Sequence, residues 1–325
     1  MGKGILYQLR DRIIRMSEIG ALSGLLIVMG IFALLSDKFF TADNMVGIFT
    51  MTSELGIIAI GVTFLMISGE FDLSVGSVFA VAPMLGALIG NSGLPLMLGF
   101  AVGLIAAALI GLVNGLIVTR SGIPSFIVTL GAMMFYRGVL LAVSGGFQIM
   151  YFGDERYFLD LLGGRILFGM RASGVWFIIV TIIFSIILKN TKYGNHVFAV
   201  GGNVGTAKAM GINTRQVKIL NFVICSTMAG LAGFTMFGRF SSVDPTAGNL
   251  LELEAIAASV IGGTLLTGGY GSIVGAFIGA FLMGVMRSGL ILAGAPSYWY
   301  KGFIGVVLVI SVITNTKIRK AVAGS

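Results

Sequence analysis

SGEFDLSVGS, residues 68–77, joins two apolar runs, and its reading decides how the chain is folded. Glu70 and Asp72 stand two residues apart between Gly69 and Gly76. A charge at the centre of a bilayer costs several kcal/mol. If the flanking runs cross a membrane, the stretch is therefore a turn at the water's edge. Asp72 then precedes Leu73 and is positioned to cap the next helix. A carboxylate there accepts backbone N–H bonds and meets the positive end of the helix dipole, a contribution of about 0.5–2 kcal/mol. Substrate gating or a subunit contact is the other reading of Asp72. Glu70 faces a like charge and has a basic group of a neighbouring loop as its candidate partner.

The whole chain favours the membrane reading. Of 325 residues, 57% are hydrophobic and 10% charged, with 49 glycines; a soluble domain is about 25% charged. Mean hydropathy is +1.02. Apolar runs cover 19–35, 46–68, 94–118, 123–143, 217–238, 271–292 and 298–314, near the roughly 20 residues that a crossing needs. The run 174–188 is shorter, but Arg171 and Lys189 flank it and can snorkel. The runs 73–90 and 254–267 are also short, and each touches a glycine-rich break. The expectation is an all-α polytopic protein, a single transmembrane domain over 1–325, with about ten transmembrane or re-entrant helices. An even number puts both termini on one side. No cleavable signal peptide is expected.

Charge orients it. With a cytoplasmic N-terminus (1–18), the inside holds Lys3, Arg10, Arg12, Arg15, Arg120, Lys189, Lys192, Lys208, Arg215, Lys218, Lys317, Arg319 and Lys320, thirteen of the 21 Lys and Arg. The positive-inside rule favours this arrangement. Segment 144–173 is then an extracytoplasmic loop, read either as a solvated cap or as a docking surface. Segment 189–216 is a cytoplasmic loop. In it Gly201, Gly202 and Asn203 form a turn signal, residues 204–210 suit a short helix that includes Thr206, and Gly211 is placed to end it. Ala207 and Met210 would be exposed there, which fits a helix pressed against a cytoplasmic partner. Within the membrane Glu54 is the single candidate carboxylate.

A weak internal echo links Ala59-Ile60 and Gly76-Ser77 with Ala255-Ile256 and Gly271-Ser272; the two Gly-Ser pairs lie 195 residues apart. Repeated halves with broken helices are common in transporters, and chance is the competing explanation. No catalytic chemistry is legible. The chain has no Walker sequence to cradle ATP, and its one His and one Cys, His196 and Cys225, make no metal site. The basic balance follows topology, and no basic–aromatic array suggests nucleic acid.

Several motifs, in order, carry a resemblance. Residues 72–77, DLSVGS, resemble the GGIDLSVGS of bacterial sugar ABC-transporter permeases of the ribose, galactose, arabinose and xylose type. PSFIVTLG at 124–131 resembles that family's PPFIATLG, Arg137-Gly138 its following RG, and FAVGGN at 198–203 its YAIGGN. Gly211-Ile212-Asn213 fits SGINV. Residues 255–258, Gly262-Gly263-Thr264, Gly268-Gly269 and residues 269–272 resemble DAIAAVVLGGTSLSGGRGS. Glu70 stands where the family usually has glycine, Glu254 where it has aspartate, and Gly205-Thr206-Ala207 where it has Glu-Ala-Ala. The resemblance implies a multi-pass permease of the bacterial cytoplasmic (inner) membrane, in contact with lipid. It implies a separate ABC-type ATPase that carries ATP and Mg, an extracytoplasmic sugar-binding protein, and a second permease copy or paralogue. It implies no cofactor in this chain. Gly201, Gly202, Asn203, Thr206, Ala207, Met210 and Gly211 would couple to the ATPase. Gly69, Asp72, Ser74, Gly76, Ser77, Gly262, Gly263, Thr264, Gly268 and Gly269 would form helix breaks along the pathway. A nucleoside, a vitamin or a furanosyl signal molecule is the alternative cargo. A self-sufficient secondary carrier or channel is the alternative class, disfavoured by the structured inner loop and the scarcity of charge within the membrane.

Overall fold

The computed structural model describes residues 17–166, 169–296 and 298–323. The N-terminal basic residues up to Arg15 lie outside them. Thirteen helices occur among the described residues. They are α1 (Ser17–Leu35), α2 (Ala42–Ile67), α3 (Val75–Asn91), α4 (Leu96–Ser121), α5 (Ser125–Ser144), α6 (Arg156–Gly163), α7 (Ala172–Asn190), α8 (Lys192–Gly202), α9 (Val204–Ala209), α10 (Thr214–Phe240), α11 (Leu251–Ile261), α12 (Ile273–Leu292) and α13 (Tyr298–Ala323). Two short strands, β1 (Ile149–Met150) and β2 (Ser242–Val243), pair antiparallel.

Every expected apolar run contains a helix, and the ten runs divide into seven long helices and three shorter ones. Among the described residues, seven helices are long and apolar enough to cross: α1 from Glu18, α2, α4, α5, α7, α10 and α12. α3 and the apolar stretch Tyr298–Ile310 of α13 are shorter, and α11 has 11 residues. The loops expected at 144–173 and 189–216 are largely structured, the first by β1 and α6 and the second by α8 and α9.

α2 and α10 form the centre. The most apolar window of α2 is 83% buried, against 11% for α1 and for α5, which therefore ring the bundle. The two central helices cross where Gly61 meets Cys225: a Cβ at Gly61 would lie 2.9 Å from the Cys225 Cα. Small residues allow such close backbone approach where packing, not water exclusion, holds helices together.

Two helical hairpins sit side by side in this core. α2 turns into α3, and α11 turns into α12. Thr63 Oγ1 of α2 donates to Ser259 Oγ of α11 at 2.9 Å, across a separation of 196 residues. α2 is 26 residues, roughly 39 Å long, and its ends mark the two ends of the molecule. Its first turns share a cavity with Arg165 and Arg171 of segment 144–173. Its last residue, Ile67, abuts Gly201 of segment 189–216. The two segments thus lie at opposite ends of the bundle.

Candidate functional site

The structure brings three glycine motifs, far apart in sequence, to one point. α2 ends in a Schellman motif: Gly69 has φ +83°, its N–H donates to Met66 O at 2.9 Å, and Glu70 N–H donates to Leu65 O at 3.2 Å. Gly268 and Gly269, in the α11–α12 turn, have φ of +81° and +77°. Gly269 N–H donates to Ile67 O at 2.8 Å. Gly201 and Gly202 arrive from the third direction. A Cβ at Gly201 would overlap the Ile67 carbonyl, and one at Gly269 would lie 2.8 Å from the Gly202 Cα. Backbone meets backbone here with no side chain between.

Gly201 and Gly202 do not form the expected turn. They are the last residues of α8, and their value is the missing Cβ, not a positive φ. Asn203 makes the corner instead. It is extended at φ −157°, and its side chain caps α9 by accepting from Thr206 N–H at 2.9 Å. Gly211 ends the segment as expected, at φ +80°. Gly211 N–H donates to Lys208 O and Ile212 N–H to Ala207 O, at 2.9 and 3.0 Å, a second Schellman motif. The expectation for Ala207 is overturned: it is 1% exposed, buried in this chain's own core. Met210 is 71% exposed and remains the apolar group offered outward.

Asp72 is also misplaced by the sequence reading. It is 1% exposed and lies inside the bundle, away from water. Its Oδ1 accepts from Ser74 N–H at 2.8 Å and from Ser74 Oγ at 2.6 Å. Its Oδ2 accepts from Ser226 Oγ of α10 at 3.3 Å. Asn114 of α4 donates to Ser74 Oγ at 3.0 Å. A buried carboxylate persists only when so satisfied. Asp72 thus organises the approach to α3 and ties it to α4 and α10.

The stretch before α3 is non-helical inside the bundle, so its N–H groups need partners. α5 supplies them. Ser125 Oγ accepts from Phe71 N–H, and Thr129 Oγ1 from Leu73 N–H, both at 3.1 Å. Ser77 Oγ donates to Met133 O at 2.9 Å, one turn further along α5. Ser125 and Thr129 were not singled out from sequence. Their signal was two hydroxyls four apart on one face of an apolar helix. Gly263, at φ +90°, turns the chain after α11; Gly262 packs against Gly275 of α12, and Thr264 is buried beside it. Glu70 pairs with Lys218, which stands in α10 just past the basic loop.

Glu54 is not the single carboxylate within the bundle. Glu252 and Glu254 of α11 are buried as well. Arg239 Nη2 lies 3.0 Å from Glu54 Oε1, and Tyr300 OH donates to Glu254 Oε2 at 3.0 Å. The Arg287 guanidinium sits 5.5 Å from the Tyr300 ring centroid. A cavity of about 360 Å³ is lined by Glu54, Glu254, Arg239 and Arg287 together. The interior is richer in charge than the sequence reading held, because α11 carries two acids into the bundle on a half-length helix.

The family described as branched-chain amino acid transport system / permease component matches residues 44–312. The chain belongs to this permease family. It is similar to the ribose import permease protein RbsC of Escherichia coli (strain K12), 37% identical over 303 residues, which are 91% of this chain and 93% of that protein. RbsC of Bacillus subtilis (strain 168) is 33% identical over 93% of this chain and 94% of its own. The autoinducer 2 import system permease protein LsrC of Photorhabdus luminescens is 30% identical over 94% of this chain and 91% of its own. No solved structure matches. The permease is the non-catalytic, multi-pass membrane component of a bacterial ABC importer of the carbohydrate type.

Proposed function

We propose that this permease translocates a sugar of the ribose class. An extracytoplasmic binding protein delivers the sugar, and a separate ATPase, carrying ATP and Mg²⁺, drives the cycle. The observation that carries the substrate reading is the 37% identity to a ribose import permease across 91% of the chain. Identity of 30% to an autoinducer 2 permease over 94% of the chain favours a second reading, a small furanosyl signal molecule.

The glycine junction supports a coupling mechanism. In this reading both termini, segment 189–216 and Glu70 face the cytoplasm, and segment 144–173 faces the binding protein. The ATPase engages α9 and the exposed Met210. Closing of the motor domains moves α8 and α9 as a unit, because Asn203 and Gly211 fix both ends of α9. Gly201 and Gly202 then press directly on the turns after α2 and α11. Packed backbone has no slack to absorb such a displacement, so both hairpins shift together. Alternating access follows if the two arrangements differ in affinity for the ATP-bound motor. A second copy of the permease, or a paralogue, completes the pathway.

The test is ATP-driven uptake by the chain reconstituted with its ATPase and binding protein, using labelled ribose, other pentoses, hexoses and autoinducer 2. Ribose uptake that requires both partners is expected. Gradient-driven accumulation by the chain alone would refute this reading and favour a secondary carrier.

A further inference from the structure

A second cavity, apart from the glycine junction and from the Glu54–Arg239 chamber, opens along α5. It has a volume of about 620 Å³ and is lined by Met133, Met134, Arg137, Asn249, Glu252 and Lys301, among others. Its depth matters first. Arg137 is the thirteenth of α5's 20 residues, about 18 Å from the start of that helix. α5 is long and apolar enough to cross a membrane. Ionised groups at such depth face the bundle interior or water, seldom lipid.

The three charges are held in different ways. Arg137 is held by three carbonyls: it donates to Pro245 O at 2.6 Å, Ala247 O at 2.9 Å and Gly76 O at 3.2 Å. It staples α5 to the first turn of α3 and to the loop before α11. Glu252 lies against α3 because residue 76 is glycine; a Cβ there would overlap the Glu252 Oε2 and the Gly248 carbonyl. Glu252 and Lys301 line the same cavity yet form none of the ion pairs among the described residues. Leu250, between Asn249 and Glu252, has φ +69°, one of two non-glycine residues in the left-handed region among the described residues. Strain of that kind collects where surrounding structure enforces a functional geometry.

We propose that this groove is a transit site for a neutral cyclic sugar, with Glu252 accepting from ligand hydroxyls, Lys301 donating to them, and Asn249 doing both. The proposal rests on the importer reading and adds the residues that touch the sugar. The chemistry matches a neutral sugar in two respects. Acceptor and donor stand on separate elements across one opening, so a ring with hydroxyls on both sides can bridge them. Met133 and Met134 supply a pliable apolar wall for the C–H face of a ring. Water meets the same groups when the sugar leaves, so binding stays weak enough for passage.

The test uses proteoliposomes with the full chain, its ATPase and its binding protein. Met134→Cys in a Cys225→Ala background is treated with a charged thiol reagent, with Asp160→Cys as the exposed control. The Met134→Cys thiol should react, because the groove holds water. Excess ribose should slow the reaction, and sorbitol should not. Glu252→Gln and Lys301→Met should leave labelling without sugar unchanged and weaken ribose protection about tenfold each, the effect of one charge-assisted hydrogen bond. No labelling while the control reacts, or no protection by a sugar that is transported, overturns the proposal. So does full protection in both variants. Failure of the unsubstituted complex to take up any neutral sugar counts against the importer reading instead.

Discussion

Ala207 and Met210 lie three residues apart, and both looked like apolar groups stranded in a basic loop. The structure separates them completely. Ala207 is 1% exposed and Met210 71%. Substitution with aspartate should therefore act by different routes. Ala207→Asp puts an unpaired charge into the core, a loss of roughly 3 kcal/mol or more. It should lower the unfolding temperature and the yield of monodisperse protein. Met210→Asp should leave unfolding unchanged and lower sugar-stimulated ATP hydrolysis by the assembled importer. Unaltered hydrolysis in Met210→Asp would remove this side chain from the docking surface. Glycine positions divide in the same way. Gly269→Ala faces a backbone penalty at φ +77° of about 1–2 kcal/mol, and its Cβ would lie 2.8 Å from the Gly202 Cα. Transport should fall more steeply than stability, because the change wedges the junction apart. The measurements are uptake per ATP hydrolysed and thermal unfolding on matched preparations. Equal loss in both would make the junction structural only.

At the scale of elements, the extended entry to α3 is held by two hydroxyls of α5. Ser125→Ala and Thr129→Val each leave a backbone N–H of the entry unpaired, at a cost of roughly 1–3 kcal/mol. Each should lower the unfolding temperature, and Thr129→Ser should restore it. A valine variant as stable as the parent would mean that water takes over the bond to Leu73 N–H. This interaction also shows what could and could not be read from sequence. The helices were legible, because apolar length and flanking charge report them directly. The ends of α2 and α9 were legible too, because Gly69 and Gly211 follow the last helical residues at a spacing that a Schellman motif requires. Asp72 was not. Its position beside Glu70 suggested a wet turn, whereas Ser74 and Ser226 satisfy it in the interior and Asn114 holds Ser74 in place. Ala207 failed for the same reason: which face of a short helix is covered depends on α8 and α10, far from it in pattern. Gly201 was noticed, but as a turn residue, since sequence does not reveal that another backbone lies where its Cβ would be.

For the whole molecule, the coupling mechanism depends on which end faces the cytoplasm. Segments 144–173 and 189–216 lie at opposite ends of the bundle, and the coupling reading holds only if the second is inside. Two observations favour that orientation. The sequence reading assigns thirteen of the 21 basic residues to that side, and positive loops stay cytoplasmic. The same end also carries a cavity of about 520 Å³ lined by Arg120, Lys208, Arg215 and Lys218, with Glu70 the one acid among its lining residues. Asn195 and Asp160 are both exposed, one at each end. Cysteine at either position, in a Cys225→Ala background, should therefore label from one face alone. In intact cells an impermeant thiol reagent should modify Asp160→Cys and spare Asn195→Cys. In inside-out vesicles the pattern should reverse. Neither substitution touches the core, so folding is not the deciding variable. Labelling of Asn195→Cys in intact cells would place α8 and α9 outside, where no ATPase can reach Met210. The glycine junction would then need a different partner, and the mechanism built on it would fall even though the family assignment stands.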